Sequence, residues 1–210
     1  MDLKGATAMV TGAATRIGRH IALGLADGGA NVAITYRSSH DAALNTLEDL
    51  CSTGVDACAI ELDLTEPADC ARAVEQVERD LRPVDILVNN AGITRFADVM
   101  EVTVEDWDSI HAVNARGTFF SMQFAAKQMI ATRDGGIIIN IASIAGKGYS
   151  GSSNAAYAAS KGAIIAMTAI AAQQLGSYGI RVNSVCPGLT RTPLLDKIER
   201  QITASTAPTI

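Results

Sequence analysis

The chain is poor in the residues that would place it in several large functional classes. Its four cysteines, Cys51, Cys58, Cys70 and Cys186, form no C-x-x-C pair and have no histidine at ligand spacing. That excludes a disulfide scaffold or a zinc module and points to reduced thiols. The three histidines, His20, His40 and His111, are too scattered to form a metal cluster, so no metal is expected. Basic runs are missing and the net charge is −5, which makes nucleic acid and anionic membranes unsuitable partners. The most apolar long stretch, "GAIIAMTAIAA" at 162–172, has 11 residues and falls short of a bilayer span. The start, "MDLKGATAMV", runs from an acid into a strand-like stretch without a charged-then-apolar leader pattern. A cytoplasmic location is the expectation.

What remains is a globular composition: 48% hydrophobic and 19% charged over 210 residues, enough for one domain with a full core. Nearly continuous apolar runs of strand length recur at 6–12, 31–37, 56–63, 84–92, 136–143 and 180–188, as for strands buried on both faces of a parallel sheet. Helical stretches alternate with them at 17–29, 40–52 and 66–81, from a capping pair at Thr103 and Asp106 through Met129, and over roughly 154–177. No linker or low-complexity break intervenes. The expected fold is a single doubly wound α/β domain, residues 1–210, of the Rossmann type with helices on both faces of a parallel sheet.

The first strand runs into "TGAATRIG" at 11–18 and then a helix. In that setting Gly12 and Gly18 permit a tight turn and let backbone N–H groups of the loop, with Thr15 and Ile17, approach a pyrophosphate at the helix N-terminus. The spacing lacks the middle glycine of the usual dinucleotide fingerprint, and an ordinary turn with two glycines would look the same. The end of the second strand adds weight. Folds that bind NAD place a carboxylate there for the ribose 2′-OH. Here the positions are Tyr36, Arg37, Ser38 and Ser39, with no acid before Asp41. Arg37 and Ser38, with Arg16 from the loop, suit the 2′-phosphate of NADP(H).

In "SNAAYAASKGAI" Tyr157 and Lys161 are four apart on a predicted helix and share a face. Ser143 ends the preceding strand, at the sheet edge where such folds bind ligands. A hydroxyl, a phenol and an ammonium beside a nicotinamide can pass a proton to a carbonyl oxygen. An active phenolate at neutral pH needs a drop of ~3 units from a reference pKa of ~10, or ~4 kcal/mol. One ammonium at ~4 Å in an effective dielectric of ~20 contributes ~4 kcal/mol, so Lys161 is expected to draw Tyr157 down. The loop "GKGYSGSSN" at 146–154, with Tyr149 and Ser153, is expected to border the substrate.

In this order, "TGAATRIG", "ELDLT" (61–65), "NNAG" (89–92), Asn114 in "VNARGTFF", Ser143, Tyr157-x3-Lys161 and "PGLTRT" (187–192) resemble the short-chain dehydrogenase/reductases, in particular the 3-oxoacyl-carrier-protein reductase-like members. The likeness runs from residue 5 to about 194. It implies an NADP(H)-dependent carbonyl reductase or alcohol dehydrogenase with Ser143, Tyr157, Lys161 and Asn114 as catalytic residues. It also implies that Asp63 and Leu64 meet the adenine, that Asn90, Ala91 and Gly92 line the cofactor, and that Asn114 kinks its helix and holds a proton-relaying water. Lys161 would bind the nicotinamide ribose, and Pro187, Gly188 and Thr192 the carboxamide side.

Family members form homodimers or homotetramers. They also continue with covering helices and a last strand, for which the tail at 193–210 is short. Two alternatives stay open: a nucleotide-binding paralogue without turnover, and an NAD-linked sugar or steroid dehydrogenase, which would prefer an acid at position 36.

Overall fold

Six apolar segments pair in parallel to form the sheet at the centre of the computed structural model, which describes residues 2–132, 135–149 and 154–190. In chain order the elements are β1 (Thr7–Val10), α1 (Arg16–Asp27), β2 (Asn31–Tyr36), α2 (His40–Cys51), β3 (Ala57–Glu61), α3 (Pro67–Asp80) and β4 (Ile86–Asn89). They continue with α4 (Val104–His111), a π-helical turn (Ala112–Gly117), α5 (Thr118–Thr132), β5 (Gly136–Ile141), α6 (Ala155–Leu175) and β6 (Ile180–Val185). The strand order is β3-β2-β1-β4-β5-β6, the doubly wound arrangement expected from the sequence.

Both faces of the inner strands are covered, which is why their residues are apolar without alternation. Ala8, Val10, Ile34 and Val88 pack against Ala22, Ala26, Ala43 and Leu50 of α1 and α2. Met9, Leu87 and Ile138 face Val74 and Val77 of α3 and Met122 and Met129 of α5. β6 differs from expectation. Among the described residues only one of its faces is covered, so Ile180 and Val182 are buried while Arg181, Asn183 and Val185 are exposed.

Several strands end earlier than their apolar runs. β1 stops at Val10, β4 at Asn89 and β6 at Val185, because Thr11, Gly12, Asn90–Gly92, Pro187 and Gly188 leave the ladder to form the loops at its carboxyl edge. The helix expected from Thr103 through Met129 is interrupted by the π-helical turn, at the Asn114 where the family resemblance implied a kink. Thr103 and Asp106 do form the reciprocal capping box at the start of α4. Ala155–Tyr178 is longer than the 11-residue run and is apolar enough, by length and composition, to cross a membrane. In the fold, α6 packs on the sheet, burying Ala156, Ser160, Lys161, Ile164, Thr168 and Ala171.

Candidate active site

From β1 the chain crosses to β2 on one side, and from β4 to β5 on the other. A crevice of about 670 Å³ opens where the direction reverses, between loops from both halves of the sheet. The glycine loop forms one wall. Gly12 has φ +64°, and a Cβ there would sit 2.8 Å from Ala91 Cβ. A Cβ on Gly18 would come 2.5 Å from Asn90 Nδ2 and 2.6 Å from the Gly12 carbonyl oxygen. Both glycines are therefore needed for the close approach of this loop to the one after β4. That approach is fastened by Asn90, whose Nδ2 donates to the carbonyls of Thr11 (2.9 Å) and Gly12 (3.1 Å). In return, Thr11 Oγ1 accepts from the backbone N–H groups of Asn90 (3.0 Å) and Ala91 (3.1 Å). Gly12 N–H donates to Thr35 Oγ1 (3.3 Å), and Thr46 Oγ1 donates to the Ala14 carbonyl (3.0 Å).

This loop delivers the N-terminus of α1 to the crevice. Thr15 makes no side-chain cap and the first turn holds no acid, so the backbone donors and positive end of the helix dipole have no anion of their own. Arg16 begins the helix at φ 54°, the only positive φ among described non-glycine residues. The left-handed conformation costs a side-chain-bearing residue on the order of 1–2 kcal/mol, which explains why glycine suits this position. Arg16, Arg37 and Ser38 are exposed and line the same end of the crevice. Neither arginine pairs with a carboxylate of the described residues, whereas Arg19 is engaged with Asp49 at 2.5 Å. Asp63 lies on the same wall. Hydrogen bonds from the backbone and hydroxyl of Thr65, with Arg37 adding a smaller pull, hold its carboxyl below the usual range.

Ser143, Tyr157 and Lys161 also line the crevice. Ser143 leaves β5, and its Oγ accepts from Ala145 N–H (3.1 Å). Asn154 caps α6 by accepting from Tyr157 N–H (2.7 Å) and donates to the Arg95 carbonyl (2.5 Å), which fixes the start of the helix. One turn separates Tyr157 from Lys161, whose Nζ is 5.7 Å from the centre of the phenol ring. Lys161 is only 3% exposed and donates to the Ile141 carbonyl at 2.7 Å.

The expected pull of Lys161 on the phenol is not what this geometry gives. Burial raises Tyr157 above its ordinary range, partly offset by a hydrogen bond with the Ser143 hydroxyl. Burial also pushes Lys161 itself down to about 8. At 5.7 Å, and bonded to a carbonyl instead, the ammonium does not outweigh the desolvation of the phenol.

Asn114 sits fully buried in the π-helical turn. Its Oδ1 accepts from Ile93 N–H (2.8 Å), and its Nδ2 donates to the Ile93 carbonyl (2.9 Å) and to Ser160 Oγ (3.0 Å). Ser160 in turn donates to the Tyr157 carbonyl (2.7 Å). Asn114 thus joins the loop after β4 to the catalytic helix, and a Cβ on Gly92 would lie 3.2 Å from its Oδ1 and 3.4 Å from Lys161 Nζ.

Thr15, Ile17, Leu64, Ala91, Pro187 and Gly188 also line the crevice. Tyr149 does not. It is 64% exposed and follows Gly148, which is in the left-handed conformation. Ser153, Thr192 and the segment 193–210 lie outside the described residues.

The sequence reading missed Thr11, Thr35 and Thr46, whose hydroxyls brace the loop. It also missed Ile93, Thr94, Leu189 and Thr190, which complete the lining. A further omission is a buried ladder behind the site: Asn89 Nδ2 donates to Asn140 Oδ1 (2.9 Å), and Asn140 Nδ2 donates to Thr168 Oγ1 (2.9 Å). Asparagine inside otherwise apolar strands was the available signal.

A parallel sheet with an uncapped helix terminus at its switch point and a Ser–Tyr–Lys set at its edge defines a dinucleotide-dependent oxidoreductase site. The model of the short chain dehydrogenase family matches residues 6–203, and the chain belongs to that family. It is an oxidoreductase of the alcohol/carbonyl type with a site for a nicotinamide cofactor.

Among its relatives is the 3-oxoacyl-[acyl-carrier-protein] reductase FabG of Staphylococcus aureus, 38% identical over 93% of this chain and 79% of the relative. Another is the (3R)-3-hydroxyacyl-CoA dehydrogenase of Rattus norvegicus, 40% identical over 96% of this chain and 80% of the relative. A blue fluorescent protein from a metagenomic library, solved in complex with NADPH, is 39% identical with a TM-score of 0.86, covering 92% of this chain and 78% of the other.

Proposed function

We propose that the protein is an NADP(H)-dependent reductase of ketones, 3-oxoacyl thioesters foremost, which also runs in the alcohol-oxidising direction. The observation that carries this reading is the pairing, in one crevice, of two carboxylate-free arginines, Arg16 and Arg37, with Ser143, Tyr157 and Lys161. The residues present fit NADP(H). The open N-terminus of α1 would hold the pyrophosphate, Arg16, Arg37 and Ser38 the 2′-phosphate, and Asp63 with Leu64 the adenine. Asn90, Ala91, Gly92, Lys161, Pro187, Gly188 and Thr192 would hold the nicotinamide half. When bound, the nicotinamide supplies or accepts the hydride.

The chain's own groups do the rest. Tyr157, kept protonated by burial, is a neutral phenol at pH 7 and donates its proton to the carbonyl oxygen. Ser143 holds that oxygen by a hydrogen bond. Lys161, with a pKa of about 8, is mostly protonated at neutral pH and serves as the nearby proton reserve. Asn114 fixes the helix that carries both and holds the water that relays protons toward Lys161. The presence of Ser143, Asn114, Tyr157 and Lys161 together speaks against a paralogue without activity, and Tyr36 in place of an acid speaks against NAD.

The exposed Trp107 (44%), Phe119 (41%) and Ile170 (54%) of α4, α5 and α6 support self-association as a homodimer or homotetramer in the cytoplasm. The test is a turnover screen with NADPH and NADH against ketones, diketones and 3-oxoacyl thioesters. NADPH oxidation with at least one of these classes is the expected result; none with any of them would refute the reading.

A further inference from the structure

His20 lies one turn into α1 and does not line the crevice. Its Nδ1 stands 2.7 Å from the carbonyl oxygen of Arg16. A carbonyl can only accept, so Nδ1 carries the proton and donates, and an imidazolium would donate from the same atom. The residue held by this bond is the one described non-glycine in the left-handed conformation.

An unrestrained arginine prefers the right-handed region. Rotation of residue 16 toward it would turn the carbonyl away from His20 and re-aim the Cα–Cβ bond that carries the guanidinium. The carbonyl lies in the first turn of α1, where the backbone N–H of residue 20 shares it, so the imidazole is a second donor that adds to the hold on the side chain's direction. Arg19, the next cation on the helix, cannot substitute because it is tied to Asp49 at 2.5 Å.

We propose that His20 is a positioning residue for cofactor selectivity. It locks Arg16 in the left-handed conformation that keeps its guanidinium at the end of the crevice where the 2′-phosphate of NADP(H) would lie. The assignment rests on the NADP(H) reading above. It predicts an effect concentrated on the phosphorylated cofactor, because the 2′-phosphate is the group that NADH lacks.

Isothermal titration with NADPH and with NADH tests this on wild type, His20→Ala, His20→Asn, Arg16→Ala and the double variant His20→Ala/Arg16→Ala. Losing one exposed hydrogen bond predicts an NADPH dissociation constant about 3- to 10-fold higher for His20→Ala, with that for NADH changed much less. His20→Asn places an N–H donor at the position of the imidazole Nδ1 and should restore most of the affinity. In the Arg16→Ala background the His20 substitution should have no further effect.

Equal weakening of both cofactors, or an undiminished effect without Arg16, would overturn the proposal. So would unchanged NADPH affinity in His20→Ala while Arg16→Ala loses it, and in that case the NADP(H) reading would stand. If Arg16→Ala and Arg37→Asp each leave the ratio of the two affinities unchanged, the NADP(H) reading falls and takes the proposal with it.

Discussion

Lys161 is an amine buried at 3% exposure, and replacing it with methionine should reveal what that burial costs. Burial lowers its pKa from 10.5 to about 8, so the unfolded chain binds the proton more tightly than the folded one. Between those two values the unfolded state carries more protons, and stability therefore rises with pH. From the two pKa values, protonation opposes folding by about 3 kcal/mol at pH 7 and about 2 kcal/mol at pH 9.

Lys161→Met removes this penalty at both pH values, and it also strips the Ile141 carbonyl of its donor at both. The second effect is independent of pH and cancels when the two conditions are compared. Wild type should thus gain about 1 kcal/mol on the variant between pH 7 and pH 9, measured by urea unfolding of both proteins. Above pH 9 the raised Tyr157 and the half-buried Cys58, pushed up to about 12, begin to separate folded from unfolded states for other reasons. A gap that stays constant or widens in the variant's favour over this range would refute the burial argument. The same variant should lose activity, since the group that destabilises the fold is the one the chemistry needs.

Tyr157→Phe should lower kcat at least ~100-fold and leave NADPH affinity unchanged, and retention of a tenth of the wild-type rate would dismiss the acid–base role. Arg37→Asp should weaken NADPH by roughly 10- to 150-fold, and the wild-type preference over NADH should shrink as salt rises, both read by titration. Gly18→Ala drives a Cβ to 2.6 Å from the Gly12 carbonyl and 2.5 Å from Asn90 Nδ2, and should destabilise the protein by about 1–3 kcal/mol in urea unfolding. Light scattering at micromolar concentration should give a mass of two chains or more, and a single-chain mass would rule out the proposed self-association.

The sheet was legible because burial on both faces leaves a plain mark: β1, β2 and β4 are predominantly apolar runs without the alternation of a half-exposed strand. β6 was less so, since its exposed Arg181 and Asn183 alternate with Ile180 and Val182, and a run averaged over both faces hides that. The site's side chains could be named from spacing. Tyr157 and Lys161 share a helix face, and Gly12 and Gly18 flank a turn.

Their energetics could not be named. How far burial acts on Tyr157 and Lys161 depends on what packs over them, which four residues of spacing do not specify. Nor could spacing reveal the π-helical turn at Asn114. It exists because both Asn114 side-chain atoms are satisfied by Ile93 and Ser160, residues 21 and 46 positions away.

The junction of β1 with β4 has a consequence for how the protein opens. Ala8–Val10 pair with Ile86–Val88, and across this seam Asn90 and Ala91 donate four hydrogen bonds to Thr11 and Gly12. The β3-β2-β1 half is encoded by residues 1–61, so during synthesis one edge of β1 waits unpaired until β4 has been made. A dinucleotide in the crevice touches both halves and must leave before they can part. Its binding free energy is therefore added in full to any opening along this seam, and not at all to fraying at the far edge of β3. Loaded and empty protein should thus differ in amide exchange at β1 and β4 while remaining alike at the C-terminal end of α2.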